Sequence, residues 1–208
     1  MARKIMNVSV NQSASRRKIL LLAAVIALPV VVAYALYFSG WRPASFGNYG
    51  ELVQPARPIT DAGFIQLDGR PLRFSGLHGK WTFITFSPAE CLSPCERNLV
   101  TMRQVIAAQG KDADRVQSVI VVTDAKARDW LRFAIKDYPG LRALIGPPEA
   151  IALLARQFTL PAGSPLDNLN RIYLVDPLGN FMMSYPLDAD RNGIRKDLAR
   201  LLRVSRIG

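Results

Sequence analysis

From Ile19 to Phe38 the sequence ILLLAAVIALPVVVAYALYF carries no charged side chain across twenty positions. A helix of that length rises about 30 Å, the thickness of a bilayer's hydrocarbon core. The run therefore predicts one transmembrane helix over 19–38. Pro29 removes a backbone donor, a loss that membrane helices tolerate. Ala33-Tyr34-Ala35 resembles the cleavage site of a signal peptide, but the apolar run exceeds the roughly 7–15 residues usual for one. Tyr34, Tyr37, Phe38 and Trp41 also suit an interfacial aromatic belt, so the segment reads as an uncleaved anchor. Arg16-Arg17-Lys18 just before it keep residues 1–18 in the cytoplasm by the positive-inside rule, and the rest of the chain crosses. In a bacterium this places a single-pass protein in the inner membrane with its domain in the periplasm.

The 208 residues leave room for one compact domain behind the anchor. Formal net charge is +11, but five of the 27 basic side chains precede residue 19, and the remaining 22 against 16 acidic ones leave +6. No dense basic stripe interleaved with aromatics follows, which argues against a nucleic-acid partner. The basic C-terminal stretch DRNGIRKDLARLLRVSRIG has the spacing of a solvated helix face, with docking on acidic lipid or an acidic partner as the alternative. Residues 39–60, with three prolines and two glycines from Arg42 onward, predict an extended tether. The folded domain is then 61–208.

Within it, GFIQLDGRPLRF alternates about Asp68-Gly69 and predicts a β-hairpin. WTFITF, SVIVVTD and RIYLVD read as buried strands, the last turning through PLGN into FMMSYP. Helical spacing runs from Cys91 or shortly after to Gly110, again over about 125–136, and from Pro147-Pro148 through Phe158. LRALIG is a short apolar run between the last two. Strands alternating with helices predict an α/β fold with an N-terminal β-hairpin and a central mixed sheet, mostly parallel with the final hairpin as an antiparallel edge, and helices on both faces. This element order is that of a thioredoxin-like fold.

The chain's only two cysteines, Cys91 and Cys95, fall where the strand WTFITF ends and a helix begins. A helix N-terminus stabilises a thiolate, the form that acts both as nucleophile and as metal ligand. If the helix has begun by Cys91, the pair stands at i and i+4 about 5–6 Å apart, close enough for a disulfide or a shared soft metal. A purely stabilising staple is poorly placed here, because so small a loop gains only about 2 kcal/mol. On the far side of a bacterial membrane the redox state of these thiols is itself a functional question.

Beyond the cysteines, the sequence resembles the SCO/SenC family of membrane-anchored, thioredoxin-fold factors for assembly of the copper centre of cytochrome c oxidase. LDGRPLRFSGLHGKWTFITF, the CxxxC, SVIVVTDAKARDWLRFAIKDYPGLRALIGPPEAIALLARQF and IYLVDPLGN carry the resemblance, together with the anchor and tether. It implies Cu(I) bound by Cys91 and Cys95, or thiol–disulfide exchange by them on the copper-binding subunit of the oxidase, or both, with a periplasmic thiol reductant as a further partner. Two departures stand out. Where the family reads F-x-F-T-H-C-P-D-x-C-P, this chain has FSPAECLSPCE, with Glu90 before the first cysteine and Glu96 after the second. The family's copper-binding histidine lies in a D-H-S stretch; here that stretch is DNL, so Asp167 is kept and Asn168 holds the histidine position.

Cu(I) prefers thiolate, thioether and imidazole, and an amide oxygen is a poor substitute. The single histidine, His78, falls in a turn and reads as a surface loop residue. Met182 and Met183 are adjacent strand residues that point to opposite faces, so at most one offers its sulfur, and core packing is their expected role. Without the histidine the balance moves from holding copper toward electron transfer, with Cys91 attacking a partner disulfide and Cys95 resolving it. Glu90 and Glu96 oppose the helix dipole at a thiolate. Thioredoxin-type reductases carry a cis-proline at about the place of Asn170, and Pro165 lies too far upstream to match. Three readings stand: an oxidase-assembly factor, a general thiol–disulfide oxidoreductase without copper, and a non-catalytic tethered binding module. Hydrolysis is disfavoured, since no serine and acid can be assembled around one loop histidine.

Overall fold

The computed structural model describes residues 12–39, 47–60, 63–124, 126, 128–167 and 170–205. The chain divides into two units, one up to Phe46 and one from Gly47 to Gly208. In the first, α1 (Gln12–Phe38) contains a stretch, Arg16–Phe38, long and apolar enough to cross a membrane. Trp41 of the expected aromatic belt lies outside the described residues.

In the second unit, strand β1 (Glu51–Pro58) takes up part of what reads as a tether in the sequence. It pairs antiparallel with β8 (Asn180–Tyr185), with a shift in register between Leu52 and Arg57. Pro55 and Pro58 hide this strand from pattern reading because proline cannot donate to a ladder. An edge strand tolerates them, since its outer N–H groups have no neighbour to serve. The hairpin β2 (Gly63–Gln66) and β3 (Pro71–Arg73) forms as expected, closed by Gly69 at φ 85°. Only glycine takes that left-handed position without strain.

β4 (Trp81–Ser87), β5 (Val116–Val122) and β6 (Leu141–Ile145) run parallel to one another. β7 (Ile172–Val175) joins β4 antiparallel and leads into β8. The eight-stranded sheet has the order β1-β8-β7-β4-β5-β6-β2-β3. The sheet is mixed as expected, though antiparallel pairings outnumber parallel ones, and the β7–β8 hairpin is not its edge, because β1 covers β8 and the hairpin β2–β3 extends the other end.

Alternation sorts the core into two layers. Trp81 and Phe83 of β4, Ile120 of β5 and Leu174 of β7 pack with Leu99 and Met102 of α2 (Ser93–Ala107), Leu131 of α3 (Arg128–Ala134), and Ile194 and Leu198 of α5 (Arg191–Val204). On the other face, Ile84, Phe86, Val121 and Tyr173 pack with Leu154 and Phe158 at α4 (Pro148–Gln157). There Phe86, Phe158, Tyr173 and Phe181 form an aromatic cluster with ring centroids 4.9–5.7 Å apart. The buried Asp197 of α5 fastens the start of the unit: its carboxylate accepts the Tyr49 and Gly50 N–H groups at 2.8 and 2.9 Å and the Tyr185 hydroxyl at 3.4 Å.

Candidate functional site

β4 delivers the chain to the carboxyl end of the sheet, where Thr123 N–H donates to Ser87 O and Ala89 N–H to Asp124 O, each at 2.9 Å. These bonds tie the loop after β4 to the loop after β5. Cys91 follows in the left-handed region at φ 42°, its N–H donating to Pro88 O at 3.1 Å. For a non-glycine residue this conformation costs roughly 1–3 kcal/mol, and such strain clusters at functional sites.

Leu92 is the N-cap of α2, and Cys95 is the third residue of the helix. Cys91 is therefore outside the helix, and the i, i+4 helical spacing expected from sequence does not hold; Pro94 in the first turn helps to set the start two residues later. The left-handed turn still brings the pair together: Cys91 and Cys95 form a disulfide with Cα atoms 5.0 Å apart. Leu92 provides no side-chain cap, so the first-turn N–H groups beside Cys95 keep their pull on negative charge.

Behind the disulfide lies a buried polar knot. Asn98 donates from Nδ2 to Thr85 Oγ1 of β4 at 3.2 Å and to the Asn170 carbonyl at 2.9 Å. Thr85 donates in turn to Arg171 O at 3.2 Å. One turn past Cys95, α2 is thus pinned to the loop before β7. Asn170 itself is left-handed at φ 46°, and the one cis peptide among the described residues precedes Pro55 in β1. Asn168 lies outside the described residues. Asp167 accepts the Ser164 N–H at 2.7 Å.

Both cysteines are buried, Cys91 slightly less than Cys95. Cys91 faces a groove of about 260 Å³, lined also by Glu96, Leu99, Phe133, Asp137 and Tyr138. The Tyr138 hydroxyl is pushed above its usual range, first by burial and then by the negative charge of Glu96. Arg103 lies 5.0 Å from the Tyr138 ring centroid and donates to Asp137 O at 2.7 Å. Sequence reading missed Asn98, Phe133, Asp137 and Tyr138. A polar residue in the apolar seam of α2 was the available signal for Asn98; nothing local marks the other three.

The remaining candidates are not gathered here. His78 is exposed, before β4, so the length of that strand, roughly 20 Å, separates it from the cysteines; its ring lies against Gly179. Met182 and Met183 both pack on one core layer rather than on opposite faces. The pairing jumps from Leu174–Met183 to Val175–Phe181, and such a bulge leaves Met182 without a partner. Met183 sulfur accepts the Tyr185 hydroxyl at 2.9 Å. Among the described residues no group of three potential metal ligands forms. When reduced, the cysteine pair would present two soft thiolates, donors of the kind Cu(I) prefers.

Residues 81–205 match the family described as transmembrane-like, thioredoxin-like, C-terminal domain. No curated protein matches the chain in sequence. Among solved structures, copper-bound ScoI of Bradyrhizobium japonicum is 23% identical with a TM-score of 0.56, over 69% of this chain and 98% of that one. BsSco, a member of the Sco family of cytochrome c oxidase assembly proteins in which a disulfide switch is identified, is 16% identical with a TM-score of 0.57, over 73% and 96%. A putative protein disulfide isomerase from Bacteroides thetaiotaomicron is 19% identical with a TM-score of 0.55, over 75% and 94%. At such identities the likeness shows the thioredoxin-like fold.

Proposed function

The chain belongs to the transmembrane-like, thioredoxin-like C-terminal-domain family, and from that premise we propose that it is a Sco-like assembly factor, anchored in a bacterial inner membrane with its domain in the periplasm. Its Cys91–Cys95 pair acts on the cysteines of the copper-binding subunit of cytochrome c oxidase. The observation that carries this reading is the disulfide at the β4–α2 junction with Cys91 at the groove.

In the reduced protein the Cys91 thiolate attacks one sulfur of a client disulfide; a mixed disulfide forms and the other client sulfur leaves as a thiolate. Cys95, beside the uncapped N-terminus of α2, then attacks Cys91. The second client thiolate departs, the Cys91–Cys95 bond forms, and two electrons have passed to the client. A periplasmic thiol reductant restores the pair. Cu(I) is the cargo that the two thiolates would carry when reduced. The second reading, a general thiol–disulfide oxidoreductase, is favoured by Asn168 standing where the family that the sequence resembles carries its copper-binding histidine.

Titration of the reduced full-length protein in detergent with Cu(I) against a competing chelator separates the two. Stoichiometric binding that is lost in Cys91→Ser and tightened by Asn168→His is the result expected of a copper carrier. No binding, together with reduction of a disulfide-bonded copper-site peptide, leaves the general oxidoreductase.

A further inference from the structure

The groove beside Cys91 has features that thiol chemistry alone does not require. At about 260 Å³ it is smaller than the roughly 300–1,000 Å³ pockets that enclose cofactors and drug-sized ligands. It is the size for one or two side chains of a bound polypeptide. Its walls are apolar: Leu99 at the base, Phe133 71% exposed, and Tyr138 half-buried. Leu92, the residue after Cys91, is 66% exposed.

Among the described residues, the ionisable side chains lining it besides cysteine and tyrosine are Glu96 and Asp137, both exposed and both acidic, on a chain of net charge +11. Two nearby cations have aromatic partners. Arg103 is laid over Tyr138 and bonded to the Asp137 carbonyl, and Lys136 lies 5.5 Å from the centre of the Phe133 ring.

We propose that this groove docks the client: an extended segment whose cysteine meets Cys91, whose neighbouring apolar side chain enters between Leu99, Phe133 and Tyr138, and whose lysine or arginine pairs with Glu96 and Asp137. The proposal rests on the thiol-exchange reading and names the client's chemistry. The step it serves is the attack on the client disulfide, in which Cys91 sulfur bonds to the client sulfur and the client's disulfide partner leaves as thiolate.

The test uses reduced full-length protein in neutral detergent and two short peptides, each with a cysteine activated as its mixed disulfide with thionitrobenzoate and followed by leucine. One peptide carries lysine after the leucine and the other glutamate. Release of thionitrobenzoate gives the rate constants. The lysine peptide should react roughly fivefold faster at low salt, the size of effect two exposed charges provide, and the preference should collapse at 1 M salt, roughly a 3 Å screening length. Glu96→Gln with Asp137→Asn should abolish the preference, and Glu96→Lys with Asp137→Lys should reverse it. Equal rates at low salt, or a preference that survives both pairs of substitutions, overturn the docking proposal while exchange itself stands. If neither peptide nor the free aromatic disulfide reagent reacts with the cysteines, the thiol-exchange reading fails and this proposal with it.

Discussion

At the scale of single residues, conformation and burial decide more than residue type. Cys91 takes a backbone position usually left to glycine or asparagine, and that position alone points it at Cys95 across the start of α2. Tyr173 is the opposite case, fully buried in an aromatic cluster with a hydroxyl that finds no hydrogen-bond partner among the described residues. An unsatisfied buried hydroxyl costs about 1–3 kcal/mol, so Tyr173→Phe should be neutral or stabilise by up to about 1 kcal/mol in chemical denaturation at pH 7. Burial holds the hydroxyls of Tyr173 and Tyr185 well above the usual tyrosine value of 10.0. The folded state therefore keeps these protons after the unfolded chain has lost them. Their contribution is fully present below about pH 10 and falls by about 1.4 kcal/mol per group for each pH unit above it. Tyr173→Phe should shift the midpoint of alkaline unfolding upward; an unchanged or lower midpoint counts against this account.

At the scale of elements, WTFITF was legible as a strand because its aromatic and β-branched side chains suit burial on both faces, and the helix after the cysteines because its apolar residues recur on one face. The strand Glu51–Pro58 was not: its apolar residues are few, its prolines mimic a linker, and its place is set by β8 and by the clasp on α5. Gly193 belongs to that clasp. A Cβ there would meet ring atoms of Tyr49 at 2.6 Å. Alanine's helix preference over glycine, about 1 kcal/mol, predicts a stabilising Gly193→Ala substitution if α5 is considered alone. The packing against Tyr49 reverses the sign, and we expect a loss of about 1–3 kcal/mol in denaturant titration of the full-length protein. A raised midpoint would show that the segment 47–50 is not held as described.

At the scale of the whole molecule, an apolar helix at one end and a thiol-bearing domain at the other predict a protein that pellets with membranes and resists extraction at alkaline pH. Removal of residues 1–46 should release it to the soluble fraction, and retention of the truncated chain on membranes would mean that a surface other than α1 anchors it. The sequence by itself determined an N-terminal helix long and apolar enough to cross a membrane, the thioredoxin-like order of elements and the position of both cysteines at a strand–helix junction. These follow from local rules of apolar period, turn chemistry and charge, which need no knowledge of distant residues. Only the tertiary structure decided that β1 is part of the sheet, that Asn98 ties α2 to Asn170, that Met182 and Met183 share a core layer, and that Phe133, Asp137 and Tyr138 stand beside Cys91. Each of these is a contact between segments far apart in the chain or a bulge in register, and neither leaves a periodic trace in sequence.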